Sequence, residues 1–270
     1  MAETGYHPLP ADLAELHDAA IQYAVDVGRR AAEKHEKLPQ YPLAHGALFT
    51  LQWRATVVHR AVRVLCETGW TPVVPILIRT LLDIIASCYT IVAKPEDSEY
   101  MGFKYMGSYL IQSTKDPETA KELLQLNQGQ LHKLQSQLRG NDIARADTLI
   151  KAYRPQTYWY RPEYESPGAI LKTASTELHF IYRLFSSAVH GGFLGSALFD
   201  DAPDMADINP HEHPRRMRVA IVMCSRILLE TSYMRDGFEG TNLSETYKKI
   251  MKELYMPQKD EVSPAPASSS

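Results

Sequence analysis

The chain has 270 residues, of which 44% are hydrophobic and 23% are charged, and it carries a formal charge of −3 at pH 7. This composition can bury one substantial core, and the slightly negative charge excludes general coating of nucleic acids. We therefore expect one domain over residues 1–256, followed by a disordered tail rich in Pro, Ala and Ser at residues 257–270.

Apolar residues recur at three- and four-residue spacing along almost the whole chain, whereas alternating runs of β-branched residues are scarce. This spacing is typical of amphipathic helices rather than strands. It predicts an all-α protein, a bundle of about eight or nine helices. The predicted helices span residues 10–38, 44–69, 72–94, 97–114, 116–139, 141–153, 168–190, 214–237 and 241–256.

The predicted helix at residues 72–94 is apolar enough to be compared with a membrane span. Arg79 and Asp83 interrupt it, and each charge at the centre of a bilayer would cost about 2.5–3.5 kcal/mol. No second segment of comparable hydrophobicity follows. We therefore expect the central helix of a soluble bundle, no membrane contact and a cytoplasmic location.

The three cysteines support the same compartment. Cys66, Cys88 and Cys224 are widely spaced in apolar stretches and form neither a metal-binding pattern nor a disulfide framework. We interpret them as buried free thiols in a reducing environment.

Arg79 and Asp83 are four residues apart, so they share one face of their helix. Charges on an apolar helix must be compensated when they are buried. One interpretation is an internal ion pair that pins neighbouring helices. The other is that Arg79 faces a polar pocket, oriented by Asp83, where its guanidinium would suit an anionic group.

The predicted helix at residues 168–190 ends with polar side chains on one face. Arg183, Ser186, Ser187 and His190 lie on this face at about 100° per residue, together with His179. The opposite face carries Leu178, Ile181, Phe185 and Ala188. A merely solvated face would be richer in Lys and Glu, so this one favours binding of a polar ligand. The alternative is an ordinary outer face on a helix that Gly191 ends.

Arg183 and His190 are two helical turns apart, about 10 Å along the axis, which lets them grip one phosphodiester from both sides. An imidazole can move a proton to or from a ribose 2′-hydroxyl, and a guanidinium can stabilise charge on phosphorus. We expect these two residues to be catalytic, without a metal or cofactor. Substrate-binding residues are expected at Arg79, Asp83, Ser186, Ser187 and Trp159, the last from an aromatic loop that would roof the pocket.

A second stretch offers metal ligands. His211 and His213 follow four aspartates in the loop between the predicted helices at 168–190 and 214–237. Imidazole and carboxylate groups are common ligands of transition metals. The same stretch also fits a polar connector, and we expect no metal there.

Three sequence elements together resemble a large bacterial family, domain of unknown function 5677. They are Ile78-Arg79-Thr80-Leu81-Leu82-Asp83 on an apolar helix, then Trp159, then the stretch from Ile181 to Gly191 that contains Tyr182, Ser186 and His190-Gly191. The resemblance spans about residues 45–235. It implies an all-helical fold and names no activity.

The closing element is also similar to the Arg-x4–6-His signature of the HEPN superfamily, helical nucleotide-binding and RNase domains found in toxin and phage-defence systems. Arg183 and His190 match its Arg and His, while Leu184 stands where those nucleases usually carry a polar residue. The resemblance implies a metal-independent RNase acting as a toxin or defence effector.

The alternative is a non-catalytic binding or scaffold module for an anionic small molecule or a protein partner. A metal-dependent hydrolase that uses the Asp/His loop is a third hypothesis, which ranks behind both. The expected partners are RNA or an anionic small molecule, and we allow for a homodimer.

Overall fold

A computed structural model describes residues 6–35, 41–70, 73–111, 117–151, 159–160, 163–189 and 213–255. Within these ranges the chain forms ten α-helices, one short 3₁₀ turn and no strand, so the predicted all-α fold is confirmed. The helices are α1 (Ala11–His35), α2 (Pro42–Glu67), α3 (Val74–Val92), α4 (Ser98–Ile111), α5 (Pro117–Gln135), α6 (Asn141–Lys151), α7 (Pro167–Ala174), α8 (Thr176–Val189), α9 (His213–Glu239) and α10 (Ser244–Tyr255).

The apolar helix α3 lies at the centre of the bundle, where it packs against α2, α4, α7, α8 and α9. Ile78, Leu81, Leu82 and Ile85 are fully buried among these neighbours. By length and composition α3 is the one described helix that could cross a membrane, yet 61% of that stretch is buried inside the protein. A helix that is apolar nearly all round is expected at the core of such a bundle.

Helix α9 packs against α1, α2 and α3, and the following α10 packs against α9 and α1. The chain from α9 to α10 turns at Gly240, whose φ of +61° lies in the left-handed region that glycine adopts without strain. Hydrogen bonds from Lys34 to the backbone carbonyls of Glu239 and Gly240 hold the last turn of α9 beside the end of α1.

Helices α2 and α4 cross at very short range. A Cβ atom at Gly102 would lie 2.5 Å from the backbone of Leu43 and Ala44, so only glycine fits there. Helix α2 begins with Pro42, and no side chain of its own caps it. Instead, the Glu99 carboxylate from α4 accepts hydrogen bonds from the backbone N–H groups of Leu43 at 2.9 Å and Ala44 at 3.0 Å.

The prediction of a single helix at residues 168–190 is wrong, because the structure has two helices there, α7 and α8. Ser175 separates them with an extended backbone, φ −159° and ψ 122°. Its hydroxyl oxygen accepts a hydrogen bond from the Leu178 backbone N–H at 3.3 Å, as an N-cap residue does. The helical period continues through this position, which is why hydrophobic spacing alone did not indicate the break.

All three cysteines are buried and free, as predicted. Burial raises the pKa of the Cys66 thiol and that of Cys88 to about 12, and raises that of Cys224 well above its usual range. The thiols therefore stay protonated near neutral pH and are poor nucleophiles.

Candidate functional site

The two faces of α8 differ in burial. Leu178, Ile181 and Phe185 are buried, as predicted for the apolar face. On the other face Arg183 is exposed, and Ser186 is half-buried. An exposed guanidinium beside a hydroxyl can hydrogen-bond an anionic group that approaches from solvent.

The remaining polar residues of this element are only partly covered by the structure. Ser187 belongs to the last turn of α8, and His190 lies outside the described residues. The acidic loop with His211 also lies outside them, and His213 begins α9. The pairing of Arg183 with His190 and the metal alternative therefore stay predictions.

The second predicted group, Arg79, is engaged by two side chains. It forms an ion pair with Asp83 one turn along α3, and it donates a hydrogen bond to the Tyr182 hydroxyl on α8. The Arg79 guanidinium carbon also lies 3.9 Å from the centroid of the Tyr182 ring, within the range of a cation–π contact. Arg79 is largely buried, whereas the Asp83 side chain is 45% exposed.

Tyr182 completes this arrangement, although the sequence did not single it out as a site residue. Its ring packs so closely on Gly168 of α7 that a Cβ atom there would lie 2.9 Å from the Tyr182 Cε1 atom. Burial raises the pKa of the Tyr182 hydroxyl, and the neighbouring Arg79 opposes that shift. The hydroxyl is therefore neutral near pH 7.

Helices α3 and α8 pack against each other. The contact that joins the polar groups of the two helices is Arg79 with Tyr182. Tyr182 precedes Arg183 by one residue, so its side chain points about 100° away around the helix. The same turn of α8 thus holds Arg79 on one side and presents Arg183 to solvent on the other.

Trp159 lies in the aromatic segment that was expected to roof the pocket. Its indole packs edge-on against Tyr105 of α4, with ring centroids 5.3 Å apart, and against Tyr160 at 6.0 Å. These contacts place one side of the ring on α4. Its predicted contact with a ligand stays a prediction.

A cluster that the sequence did not indicate lies where the ends of α1 and α9 meet the start of α2. Both oxygens of the Glu239 carboxylate are engaged, one by His35 Nε2 and the other by His45 Nδ1 at 2.6 Å. The two imidazole rings are 3.5 Å apart between centroids. The Glu239 side chain is only 3% exposed, and the histidines are 17% and 20% exposed.

Basic side chains surround this cluster. Arg235, one turn before Glu239, places its Nε atom 3.8 Å from a Glu239 oxygen and donates a hydrogen bond to the Gln52 side chain. Lys34 donates to the backbone carbonyls of Glu239 and Gly240, at the end of α9. Burial alone would raise the pKa of Glu239, but the hydrogen bonds from His45 and His35 hold it below its ordinary value. The carboxylate is therefore ionised at neutral pH.

His35, His45 and Glu239 could together hold a metal ion. One nitrogen from each imidazole and one carboxylate oxygen lie within 4.8 Å of one another, and the described part of the chain contains no other such group of three. The residues come from three helices, and Glu239 is 194 positions after His45 in the sequence. No local motif could have revealed the group.

The comparisons with known proteins identify a family without a described activity. The sequence profile of the Family of unknown function (DUF5677) matches residues 45–205, which is more than half of the chain. No curated protein and no solved structure matches the chain. The matched region begins in α2, contains the Arg79 and Asp83 positions, and includes the whole of α8. The chain belongs to the Family of unknown function (DUF5677).

Proposed function

We propose that this chain is a HEPN-like, metal-independent ribonuclease that cleaves single-stranded RNA in the bacterial cytoplasm, as a toxin or phage-defence effector. The observation that supports this proposal best is the exposure of Arg183 on α8, opposite the buried side chains of Leu178, Ile181 and Phe185. A guanidinium in that position can meet a phosphodiester without moving the helix.

The proposed reaction uses two side chains, the imidazole of His190 and the guanidinium of Arg183. His190, seven residues after Arg183 in the sequence, takes the proton from the ribose 2′-hydroxyl. The 2′-oxygen then attacks phosphorus, and the protonated His190 returns that proton to the 5′-oxygen as its bond to phosphorus breaks, which leaves a 2′,3′-cyclic phosphate and a 5′-hydroxyl. Arg183 stabilises the charge that builds on the phosphoryl oxygens. Ser186, Ser187 and Trp159 are proposed to contact the RNA around the scissile bond.

Arg79 and Asp83 support a different role. Both are engaged within the fold, Arg79 by Tyr182 and Asp83 by Arg79 itself. We propose that they hold α8 in place and orient Arg183 indirectly. The exposed Arg183 beside the half-buried Ser186 also favours a second candidate function, a non-catalytic module that binds an anionic small molecule or a protein partner.

A homodimer is also proposed, because α2 exposes a row of large apolar side chains. Phe49, Trp53, Val57 and Val64 are all about half exposed or more, with Trp53 at 61%. Their spacing of four, four and seven residues puts them on one face over about 22 Å of helix. We call this row the α2 stripe. A straight stripe on one helix is self-complementary when two copies pack about a two-fold axis.

Cleavage of a labelled single-stranded RNA in EDTA tests the ribonuclease proposal. The wild type should cleave, and Arg183→Ala and His190→Ala should each lower the rate by about 100-fold or more, because both groups act in the transition state. The controls are Arg29→Ala, an exposed arginine on α1, and His132→Ala, an exposed histidine on α5. Both controls should keep the wild-type rate. The assay is run where circular dichroism shows the chelated protein to be folded.

Two results would favour the non-catalytic binding module over the ribonuclease. One is a wild type that does not cleave RNA in EDTA. The other is cleavage that survives in both Arg183→Ala and His190→Ala, since a contaminating nuclease would then explain it. Retained binding of a labelled anionic ligand, lost in Arg183→Ala, would support the second candidate directly.

A further inference from the structure

We propose that His35, His45 and Glu239 form a binding site for one divalent transition-metal ion, with Zn²⁺ as the best match. The site is built from α1, α2 and α9, whereas the proposed RNA-cleaving face lies on α8. It is independent of the proposed ribonuclease activity, and its role is to tie three helices together.

The geometry of the cluster carries this proposal. Three donor atoms from three helices converge on one point, with all of them within 4.8 Å of one another. Ligands around a zinc ion lie 2.0–2.2 Å from the metal, so neighbouring donors are separated by about 3–4 Å. The two imidazoles contact the Glu239 carboxylate directly, so they have to move away from it to admit an ion between the three groups.

The types of donor select the metal. Two imidazole nitrogens and one carboxylate oxygen suit Zn²⁺, Fe²⁺ or Co²⁺, whereas Mg²⁺ and Ca²⁺ prefer oxygen donors alone. His35 and His45 keep about a fifth of their surface in contact with solvent. Water can therefore complete the coordination of an ion that has three ligands from the protein.

The local charge is mixed, because groups that favour a cation and groups that oppose one meet at the cluster. Arg235 approaches one Glu239 oxygen at 3.8 Å and opposes a second positive charge. Against this, His35 is the last residue of α1 and Glu239 the last of α9, which brings the negative ends of two helix dipoles to the cluster. The first turn of α2, which carries His45, brings the positive end of a third. The buried Glu239 carboxylate supplies the negative charge that a bound cation would meet.

A metal at this position would crosslink chain segments that are distant in sequence. His35 and His45 flank the connection from α1 to α2, and Glu239 ends α9. An ion that binds only the folded chain stabilises it by mass action. We therefore expect the ion to raise the temperature of unfolding.

The test uses the full chain after treatment with a chelator and dialysis. Titration calorimetry with ZnCl₂ should show one equivalent bound with a Kd of about 1 μM or tighter. His35→Ala, His45→Ala and Glu239→Gln should each weaken binding by about 100-fold or more, since even residues that only orient metal ligands cost up to that much. His132→Ala and the double variant His211→Ala/His213→Ala should bind as the wild type does.

X-ray absorption of the zinc-loaded wild type provides a readout that does not depend on how well the variants fold. Two imidazole ligands and oxygen in the remaining positions are expected. The proposal is overturned if the wild type binds no zinc or if absorption shows sulfur ligands. It is equally overturned if folded variants of the three residues keep their affinity, or if only the His211/His213 variant loses it.

Discussion

Arg79 of α3 stacks on the ring of Tyr182 of α8, with 3.9 Å between the guanidinium carbon and the ring centroid, and donates a hydrogen bond to the same side chain. One arginine thus makes two different contacts with one tyrosine. The two contacts respond to different substitutions, which allows them to be measured separately.

Tyr182→Phe removes the hydroxyl and keeps the stacked ring. We expect the free energy of unfolding to fall by about 0.5–1.5 kcal/mol, the usual net value of one hydrogen bond. Arg79→Met should cost more, because it removes both contacts with Tyr182 and the ion pair with Asp83. Urea denaturation of the two single variants and the double variant measures the coupling energy between the two residues. Arg183→Met is the control, since Arg183 is exposed, and it should change the free energy of unfolding by less than about 0.5 kcal/mol. Additive effects of the two substitutions would show that the hydrogen bond between Arg79 and Tyr182 contributes nothing to stability.

His59 should make the protein less stable in mild acid. It is fully buried in α2, with its Nε2 atom 2.9 Å from the Ser225 hydroxyl and its ring stacked on His17 at 4.2 Å. Burial lowers the pKa of His59 well below its ordinary value, and that of His17 is lowered as well. The folded chain therefore binds fewer protons at these sites than the unfolded chain does.

The sign of the effect follows from proton linkage. The contribution of these two histidines to the free energy of unfolding is fully present above the unfolded pKa of about 6.5. It is lost as the pH falls below that value, by up to about 1.4 kcal/mol per pH unit for each histidine. Urea denaturation at several pH values between 7.5 and 5 measures the slope. His59→Gln should have a shallower slope than the wild type, whereas the exposed His132→Gln should not. Equal slopes in all three proteins would contradict this assignment.

Trp53→Ser should dissociate the proposed dimer, because Trp53 is the largest side chain of the α2 stripe and is 61% exposed in the single chain. Light scattering after size exclusion should give a dimer for the wild type and a monomer for the variant. Leu126→Ser is the matched control, since Leu126 is a 79% exposed apolar residue on α5. A monomeric wild type, or a variant that stays dimeric, would exclude the α2 stripe as the dimer interface.

Gly102→Ala should destabilise the fold by about 1–3 kcal/mol or more, since its methyl group would collide with the α2 backbone, which has little room to move. Gly129→Ala on α5 is the opposite case, because nothing lies within 4 Å of the added Cβ atom. That substitution should stabilise the chain by up to about 1 kcal/mol through its helix propensity. Thermal and urea unfolding of both variants measure the difference, and a stable Gly102→Ala variant would mean that α2 and α4 can separate freely.

The helices could be predicted from the sequence because each buries one apolar face. Helix α9 was predicted at 214–237 and observed at His213–Glu239, and the central place of α3 followed from its composition. The break between α7 and α8 depends on a single serine hydroxyl at Ser175, which competes with a helical period that continues on both sides. Spacing of apolar residues does not register a contact of that kind.

The candidate sites also differ in whether the sequence could predict them, because some depend on neighbouring residues and others on the packing of distant helices. The polar face of α8 was evident from residues within two turns of each other. Tyr182 was missed as the partner of Arg79, because 103 residues separate them and only the packing of two helices decides which side chains meet. The His35, His45 and Glu239 cluster was missed for the same reason, since no short spacing relates its three members.

The cap that Glu99 places on α2 has a consequence for the order of folding. The first turn of α2 receives its hydrogen-bond acceptor from a residue that is synthesised 55 positions later, so that turn cannot be completed until α4 has docked. Closing so long a loop is slow compared with the growth of a helix. The amide protons of Leu43 and Ala44 should therefore gain protection from hydrogen exchange late in refolding, together with α4 and after the middle of their own helix.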